Sequence, residues 1–157
     1  MRAVTTAPGD QPLVVRAGEG EAIDAGGIAH LFALTGEQTG GRFGLEEFTL
    51  PPRTLGARPH VHGSHDEYFV VLSGHLTLST AGDDVVLAPG DTAAALRGTA
   101  HGYRNDSGTE PARALCMYTP AGYEQYFRDV HAAVAGGAEP SDELLAELRA
   151  RYDTTTA

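Results

Sequence analysis

The sequence predicts an all-β barrel or sandwich that is followed by α-helices at its C-terminal end. Short apolar stretches are punctuated by Gly, Pro and Asp along most of the chain, which is typical of antiparallel sheets. Beyond them, Tyr123, Phe127, Val130 and Val134 recur at three- and four-residue spacing, which indicates one face of a helix. At 157 residues, the chain is long enough for one domain with a single core.

Three segments follow from this pattern. We expect a flexible N-terminal segment over residues 1–11, a β-barrel domain over residues 12–119 and a helical extension over residues 120–157.

Composition and charge exclude several classes of function. The formal net charge is -10, and all 11 basic residues are arginines without a basic cluster, so we expect neither nucleic-acid nor membrane binding. Residues 1–11 lack the apolar core of a signal peptide, and no apolar run approaches membrane-spanning length. Cys116 is the single cysteine, which excludes an internal disulfide and predicts an inert buried thiol. We therefore expect a cytoplasmic protein.

The individual strands are predicted from apolar runs and from the turn signals between them. A long run over residues 28–34 and a second over residues 43–50 predict a hairpin with a loose loop, which Pro51 and Pro52 end. The remaining predicted strands cover residues 13–16, 66–73, 75–80, 85–87, 92–96, 101–105 and 112–119.

The tail changes from strand to helix. Thr119 and Pro120 predict a helix start, because they match an N-cap followed by proline at the first helical position. Gly136 and Gly137 end that helix, and Ser141 caps a second one. We expect both helices to cover the outside of the barrel or a dimer contact, and residues 154–157 to be frayed.

One stretch in the middle of the chain carries a metal-binding pattern. His60 and His62 are separated by one residue, which places both imidazoles on the same face of an extended chain. Glu67 follows five positions after His62, at the start of an apolar strand. Imidazole and carboxylate together suit Fe, Mn, Co, Ni or Zn rather than Ca or Mg.

Two stretches resemble the two sequence motifs of the cupin superfamily. Residues 60–74 read His-x-His, four residues, Glu, six residues and Gly. Residues 90–105 read Gly, five residues, Leu-x-Gly, two residues, His, three residues and Asn. This resemblance implies metal ligation by His60, His62, Glu67 and His101. It also implies structural roles for the matching residues Gly74, Gly90, Gly98 and Asn105.

Two positions depart from the motifs. Thr54 stands where the first motif usually begins with glycine, and Leu96 stands where the second has proline. The implied fold is the cupin jelly-roll barrel, which holds one divalent transition metal ion at its mouth. Four protein ligands in an octahedral field leave two positions for water, dioxygen or a substrate oxygen.

The resemblance is closest to small single-domain quercetin 2,3-dioxygenase-like cupins, and it includes residues 112–115 and 119–127. It implies a dioxygenase that acts on a flavonol or another small aromatic enol, with Glu67 accepting the hydroxyl proton as general base. Two alternatives stay open. One is a polyketide cyclase or isomerase that uses the metal as a Lewis acid, and the other is a non-catalytic cupin that binds a small molecule.

Strand alternation supplies candidates for the substrate pocket. Phe69 shares a face with Glu67, and Tyr103 shares one with His101, whereas Phe43 and Leu45 are placed in the same cavity from a less certain register. We expect His65 to be a solvated loop histidine, with a partner of the metal ligands as the alternative, and His30, His75 and His131 to be structural or surface residues. Finally, the outward residues Tyr68, Val70 and Leu72 predict a homodimer contact.

Overall fold

Two antiparallel sheets form the framework of the protein, whose computed structural model describes residues 11–157. In this part of the chain, one sheet has six strands in the order β1-β2-β3-β10-β5-β8, and the other has five in the order β11-β4-β9-β6-β7. The strands are β1 (Glu21–Ala25), β2 (Ile28–Leu34), β3 (Gly44–Leu50), β4 (Thr54–His62), β5 (Asp66–Ser73), β6 (Leu76–Ser79), β7 (Val85–Leu87), β8 (Thr92–Ala95), β9 (His101–Asn105), β10 (Ala112–Thr119) and β11 (Thr154–Thr156). The helices are α1 (Gly36–Thr39), α2 (Glu124–Ala135) and α3 (Asp142–Ala150).

The core lies between the two sheets and is rich in aromatic rings. Alternate residues of each strand point inward, so that apolar surface is removed from water on the facing sides of both sheets. The Phe48 ring stacks on Tyr103 at 5.1 Å and meets Phe69 edge-on at 6.5 Å. These contacts join β3, β5 and β9 across the barrel.

Most strands match the prediction, but the first does not. The expected strand over residues 13–16 is absent, and Val14 is 57% exposed. The chain instead first joins the sheet at β1, because an apolar stretch forms a strand only where a neighbouring strand can pair with it. The β2–β3 hairpin is confirmed, and its loop holds the short helix α1. The predicted flexible segment lies, apart from Gln11, outside the described residues.

The first tail helix starts later than predicted. Its first residue is Glu124, and the Thr119–Pro120 peptide bond is cis. The Glu124 carboxylate accepts hydrogen bonds of 2.7 Å from the backbone N–H groups of Gly36 and Gly122, which anchors the start of α2 on the α1 loop. The proline signal was wrong because Thr119 still belongs to β10. The second helix is capped by Ser141 as predicted, because its hydroxyl accepts from the Leu144 N–H.

The expectation of a frayed C-terminus was also wrong. Residues 154–156 form β11, which pairs with β4 so that Thr154 lies opposite His62 and Thr156 opposite His60. Thr154 is buried. Three consecutive β-branched residues suit a strand, and β4 offers an edge to which they can pair. The chain end therefore belongs to the sheet that carries the two histidines.

The tail helices pack on the barrel through α2 against β1 and α3 against β11. Tyr126, Phe127 and Val130 of α2 and Leu148 of α3 are buried, which confirms the predicted apolar face of the first helix. Within residues 11–157, no helix is long and apolar enough to cross a membrane. The homodimer through the outer face of β5, where Leu72 is 38% exposed, stays a prediction.

Asn105 at the end of β9 illustrates how the second motif holds the fold. Its buried side-chain amide donates to the carbonyl oxygens of Leu50, Pro51 and Glu110, while its own carbonyl oxygen accepts from the Ser107 N–H. A single buried side chain thus satisfies backbone groups from two separate loops.

We predict that Asn105→Asp destabilises the protein by about 1–3 kcal/mol or more, because a carboxylate would face three carbonyl oxygens. Urea unfolding measures this change. Asp106→Asn is the matched control, since the neighbouring Asp106 side chain is 57% exposed. Equal unfolding free energies for the two variants would contradict the structural role of Asn105.

Candidate metal centre

Four side chains meet inside the barrel near its mouth. His60 and His62 lie at the end of β4, Glu67 at the start of β5 and His101 at the start of β9. All four are buried, and they offer ligand atoms that lie within 4.8 Å of one another. Strand alternation points each of them inward, and the pairing of His60 with His101 brings β4 and β9 into register.

The distances among these groups show how closely they are packed. The Nε2 atoms of His60 and His62 are 3.1 Å apart. The Glu67 carboxylate lies 3.0 Å from His62 Nε2 through one oxygen and 3.1 Å from His101 Nε2 through the other.

The contact that Nδ1 makes, on the side of the ring away from the cluster, determines which ring nitrogen carries the hydrogen. The Nδ1 of His60 lies 2.7 Å from the Arg58 carbonyl oxygen. The Nδ1 of His101 lies 3.0 Å from the Thr99 carbonyl oxygen. A carbonyl oxygen can only accept, so each Nδ1 carries a hydrogen and donates it. In the neutral ring, the Nε2 of both residues then presents a lone pair to the centre of the cluster.

His62 is held in the same tautomer by the C-terminal strand. Its Nδ1 lies 2.7 Å from the Thr154 hydroxyl oxygen, and that hydroxyl donates to the Tyr152 carbonyl oxygen at 3.2 Å. The hydroxyl oxygen therefore accepts from Nδ1 of His62. Histidines that bind metals commonly donate their second ring nitrogen in this way, which fixes the ring and raises its basicity as a ligand.

The electrostatics of the cluster favour a cation. Burial lowers the pKa of His60 to about 3 and also lowers the pKa of His62, so both rings are neutral near pH 7. Burial would raise the pKa of Glu67, but the neighbouring rings of His101, His62 and His65 outweigh it and hold the pKa well below its ordinary value. Burial lowers the pKa of His101, yet the adjacent Glu67 carboxylate, which favours the charged ring, outweighs it and raises the value.

The donor set therefore fits a divalent transition metal. Two neutral rings direct lone pairs at each other across 3.1 Å, an arrangement that a cation between them would relieve. Three imidazole nitrogens and one carboxylate form a mixed nitrogen and oxygen set, which suits Fe, Mn, Co, Ni or Zn. The site could thus hold one ion through the four residues that the sequence motifs indicated.

His65 is placed differently from the sequence expectation. It is 5% exposed, and its Nε2 lies 3.2 Å from a Glu67 carboxylate oxygen. Its ring is 4.0 Å from that of His62 and 4.7 Å from that of Tyr123. His65 is therefore a buried partner of the ligand carboxylate and not a solvated loop residue. Strand phase could not show this, because His65 lies in the turn before β5.

A cavity of about 190 Å³ adjoins the cluster and includes His60 and Glu67 in its wall. The C-terminal tail contributes Tyr123, which precedes α2, and the helical residues Tyr126, Phe127, Val130, Leu145 and Arg149. The expected outer cover of the barrel is thus also the wall of an inner cavity. Their apolar periodicity predicted the helices, but periodicity alone does not tell which part of a barrel a helix covers.

The predicted pocket residues separate into two groups. Tyr103 lines the cavity, and Phe69 lies fully buried beside it with ring centroids 5.6 Å apart. Phe43 and Leu45 are only half-buried, because the inward phase of β3 falls on Gly44, Glu46 and the alternate residues after them. A shift of one residue in strand phase exchanges the two faces. The structure therefore does not bring Phe43 and Leu45 to the cavity.

The inward phase of β3 also brings a buried acid–base pair to the cavity wall, and this pair was not predicted from the sequence. Glu46 is fully buried, and its carboxylate lies 3.0 Å from Nδ1 of His30, whose ring belongs to the cavity wall. Burial raises the pKa of Glu46, although His30 opposes the rise. If the register of β3 with β2 had been known, side-chain alternation would have placed Glu46 inside the barrel near His30.

Comparisons with known proteins agree with this geometry. The family model for the cupin domain matches residues 46–118. Over 120 residues, the chain is 30% identical to quercetin 2,3-dioxygenase of Bacillus subtilis (strain 168), an alignment that covers 76% of this chain and 35% of that enzyme. The chain therefore spans about a third of the curated relative that it matches.

Solved structures share the fold. KdgF from a Halomonas species has a TM-score of 0.62 at 18% identity, covering 73% of this chain and 99% of that one. A cupin sugar phosphate isomerase from Silicibacter pomeroyi has a TM-score of 0.53 at 28% identity, covering 60% of each chain. With both motifs and the double sheet in place, the chain belongs to the cupin superfamily.

The Thr154 contact gives a direct test of the candidate metal centre. We predict that Thr154→Val lowers metal affinity roughly 10- to 100-fold, since removing the partner of a metal-binding histidine costs about that much. Competition with a chelator of known affinity measures it. Thr155→Val is the control, because the Thr155 side chain is exposed on the same strand. Equal affinity in both variants would show that Thr154 does not orient His62.

Proposed function

We propose that the protein is a metal-dependent enzyme that activates the hydroxyl group of a small aromatic enol or phenol, with a quercetinase-like dioxygenase as the leading reaction. The observation that carries this proposal is the position of Glu67, which contacts three histidines and also lines the cavity. A carboxylate at such a place can both help to hold a metal and reach a substrate in the cavity.

The chain's own residues would divide the work of proton transfer and positioning. A bound divalent metal supplies Lewis acidity, which acidifies a hydroxyl group. Because the pKa of Glu67 is held low, its carboxylate is ionised near pH 7 and can accept the proton of a hydroxyl group made acidic in this way. Hydrogen bonding by His65 keeps that carboxylate in place. The rings of Tyr103, Tyr123 and Phe127 provide flat apolar walls for a planar substrate.

The size of the cavity narrows the substrate class. Pockets for drug-sized ligands are typically about 300–1,000 Å³, and this cavity is about 190 Å³. A molecule with one aromatic ring fits that volume better than a three-ring flavonol does. The 30% identity to a quercetin dioxygenase supports the reaction type, while the volume favours a smaller substrate.

A second candidate is metal-assisted isomerisation or cyclisation, in which no dioxygen is consumed. The His30–Glu46 pair favours it, because moving a proton between two atoms of a substrate uses one group to remove it and another to return it. Glu67 and His30 both line the cavity and could take these two roles. The sugar phosphate isomerase that is 28% identical to this chain supports the same alternative.

Glu67→Gln tests the general base. The amide keeps the size of the side chain and an oxygen that can bind metal, but it cannot accept the proton. We predict a loss of turnover of roughly a hundredfold to ten-thousandfold, with a much smaller loss of bound metal. Steady-state assays on a panel of phenols and enols, with metal content measured on the same samples, provide the readout. Glu47→Gln is the control, since Glu47 lies on the outer face of β3 and pairs with Arg113.

The same panel separates the two reactions. A dioxygenase consumes dioxygen in step with substrate, so its turnover stops under strict anaerobiosis. Full-rate turnover without dioxygen would replace the dioxygenase by the isomerase or cyclase. Binding without turnover in both atmospheres would leave a non-catalytic binding protein.

A further inference from the structure

The charge of Arg149 on α3 is unusual for a buried residue. Arg149 is 6% exposed and belongs to the wall of the cavity that also includes His60 and Glu67. An arginine side chain keeps its positive charge at any pH where the protein is folded. The tail helix therefore places a fixed cation beside the cavity that adjoins the candidate metal centre.

Within residues 11–157, no carboxylate lies within ion-pair distance of Arg149, and its Nε has no hydrogen-bond partner. The neighbouring Arg151 on the same helix end contrasts with it, since Arg151 pairs with Asp129 and Glu147 and its side chain is 55% exposed. The Tyr126 ring lies 5.6 Å from the Arg149 guanidinium and offers a cation–π contact. That contact supplies no opposite charge.

A buried charge without a counter-charge is unfavourable, and natural proteins rarely keep one unless a ligand completes it. The guanidinium is a planar fork of donors that matches a carboxylate through paired hydrogen bonds. The other residues of the cavity wall are aromatic or aliphatic, apart from the metal-centre groups, His30, Cys116 and Asp142, whose carboxylate pairs with Arg58. A ligand that both packs against the apolar walls and pairs with Arg149 therefore combines an apolar ring with one anionic group.

We propose that Arg149 binds the carboxylate of the substrate, so that the cavity takes a hydroxylated aromatic acid with one ring. The inference rests on the proposed function for the hydroxyl end of the molecule, which lies toward Glu67. The carboxylate end lies toward Arg149. A carboxylate is favoured over a phosphate ester because the cavity is small and mostly apolar.

Calorimetric titration of the metal-loaded protein tests this assignment without requiring turnover. The probes are 2-, 3- and 4-hydroxybenzoate, the corresponding neutral hydroxybenzamides and inorganic phosphate. We expect at least one acid to bind tenfold or more tightly than its amide. Arg149→Gln should remove that preference, so that acid and amide bind with equal affinity. Arg149→Lys should restore part of it, because the charge returns without the planar fork.

Arg151→Gln is the matched control, since it removes a positive charge from the same helix end without touching the cavity. It should bind acid and amide as the wild type does. Thermal unfolding adds a second readout, in which the bound acid raises the melting temperature of the wild type but not of Arg149→Gln. Removing an unpaired buried charge should not itself lower that temperature.

Several results would overturn the proposal. These are equal binding of acid and amide, no binding of any acid, an acid preference that survives Arg149→Gln, or Arg149-dependent binding of phosphate alone. Failure here differs from failure of the proposed function. Turnover of neutral enols together with equal binding of acid and amide would leave the function standing without the acid site. Arg149-dependent acid binding without any turnover would support the acid site and contradict the proposed enzymatic function.

Discussion

The structure depends on one electrostatic constraint, which is that buried hydrogen-bond acceptors face one another at the centre of the barrel mouth. Backbone carbonyl oxygens fix Nδ1 of His60 and His101 as donors, and the Thr154 hydroxyl does the same for His62. Each ring therefore turns an unprotonated nitrogen toward the Glu67 carboxylate and its neighbours. Only a cation or protons can occupy such a centre without repulsion, and burial disfavours protonation of His60 and His62.

The second feature is that the C-terminal tail adds to the site that the barrel strands form. A bare barrel mouth would leave the candidate centre open to water, which weakens electrostatic interactions and competes for a metal. Here β11 contacts His62 on the side away from the cluster, while α2 and α3 line the cavity that includes Glu67. The residues after β10 thus supply three aromatic rings of the cavity wall, those of Tyr123, Tyr126 and Phe127, and its fixed positive charge. Specificity would lie in this extension, and the chemistry in the strands.

The sequence predicted what depends on local spacing. His60 and His62 share a face because strands alternate, whereas the complete ligand set with His101 was implied by the resemblance to the cupin motifs. The bounds of β5, β9 and β10 agree with the predicted strands, and Gly74, Pro111 and Pro120 mark the ends of β5 and β10. The apolar face of α2 was likewise predicted from spacing within one segment. For the shared face of the two histidines, the strand ends and the helix face, neighbouring residues contain the physical reason.

What the sequence did not predict depends on contacts between distant segments. Thr154 reaches His62 across 92 positions, and nothing near either residue indicates the pairing. The inward phase of β3 depends on its register with β2 and β10, so Glu46 and Leu45 exchanged faces in the prediction. Arg149 looks like an ordinary surface arginine until α3 is packed on the barrel. Long-range packing decides these positions, and a pattern within one segment does not.

The central claim is that one cation occupies the point on which these four side chains converge. Anomalous diffraction from crystals of the protein loaded with a transition metal, recorded at the absorption edge of that metal, tests it most directly. The account predicts one strong peak within bonding distance of Nε2 of His60, His62 and His101 and of the Glu67 carboxylate. A metal-loaded crystal with no peak at that point, or with its strongest peak elsewhere on the chain, would contradict it.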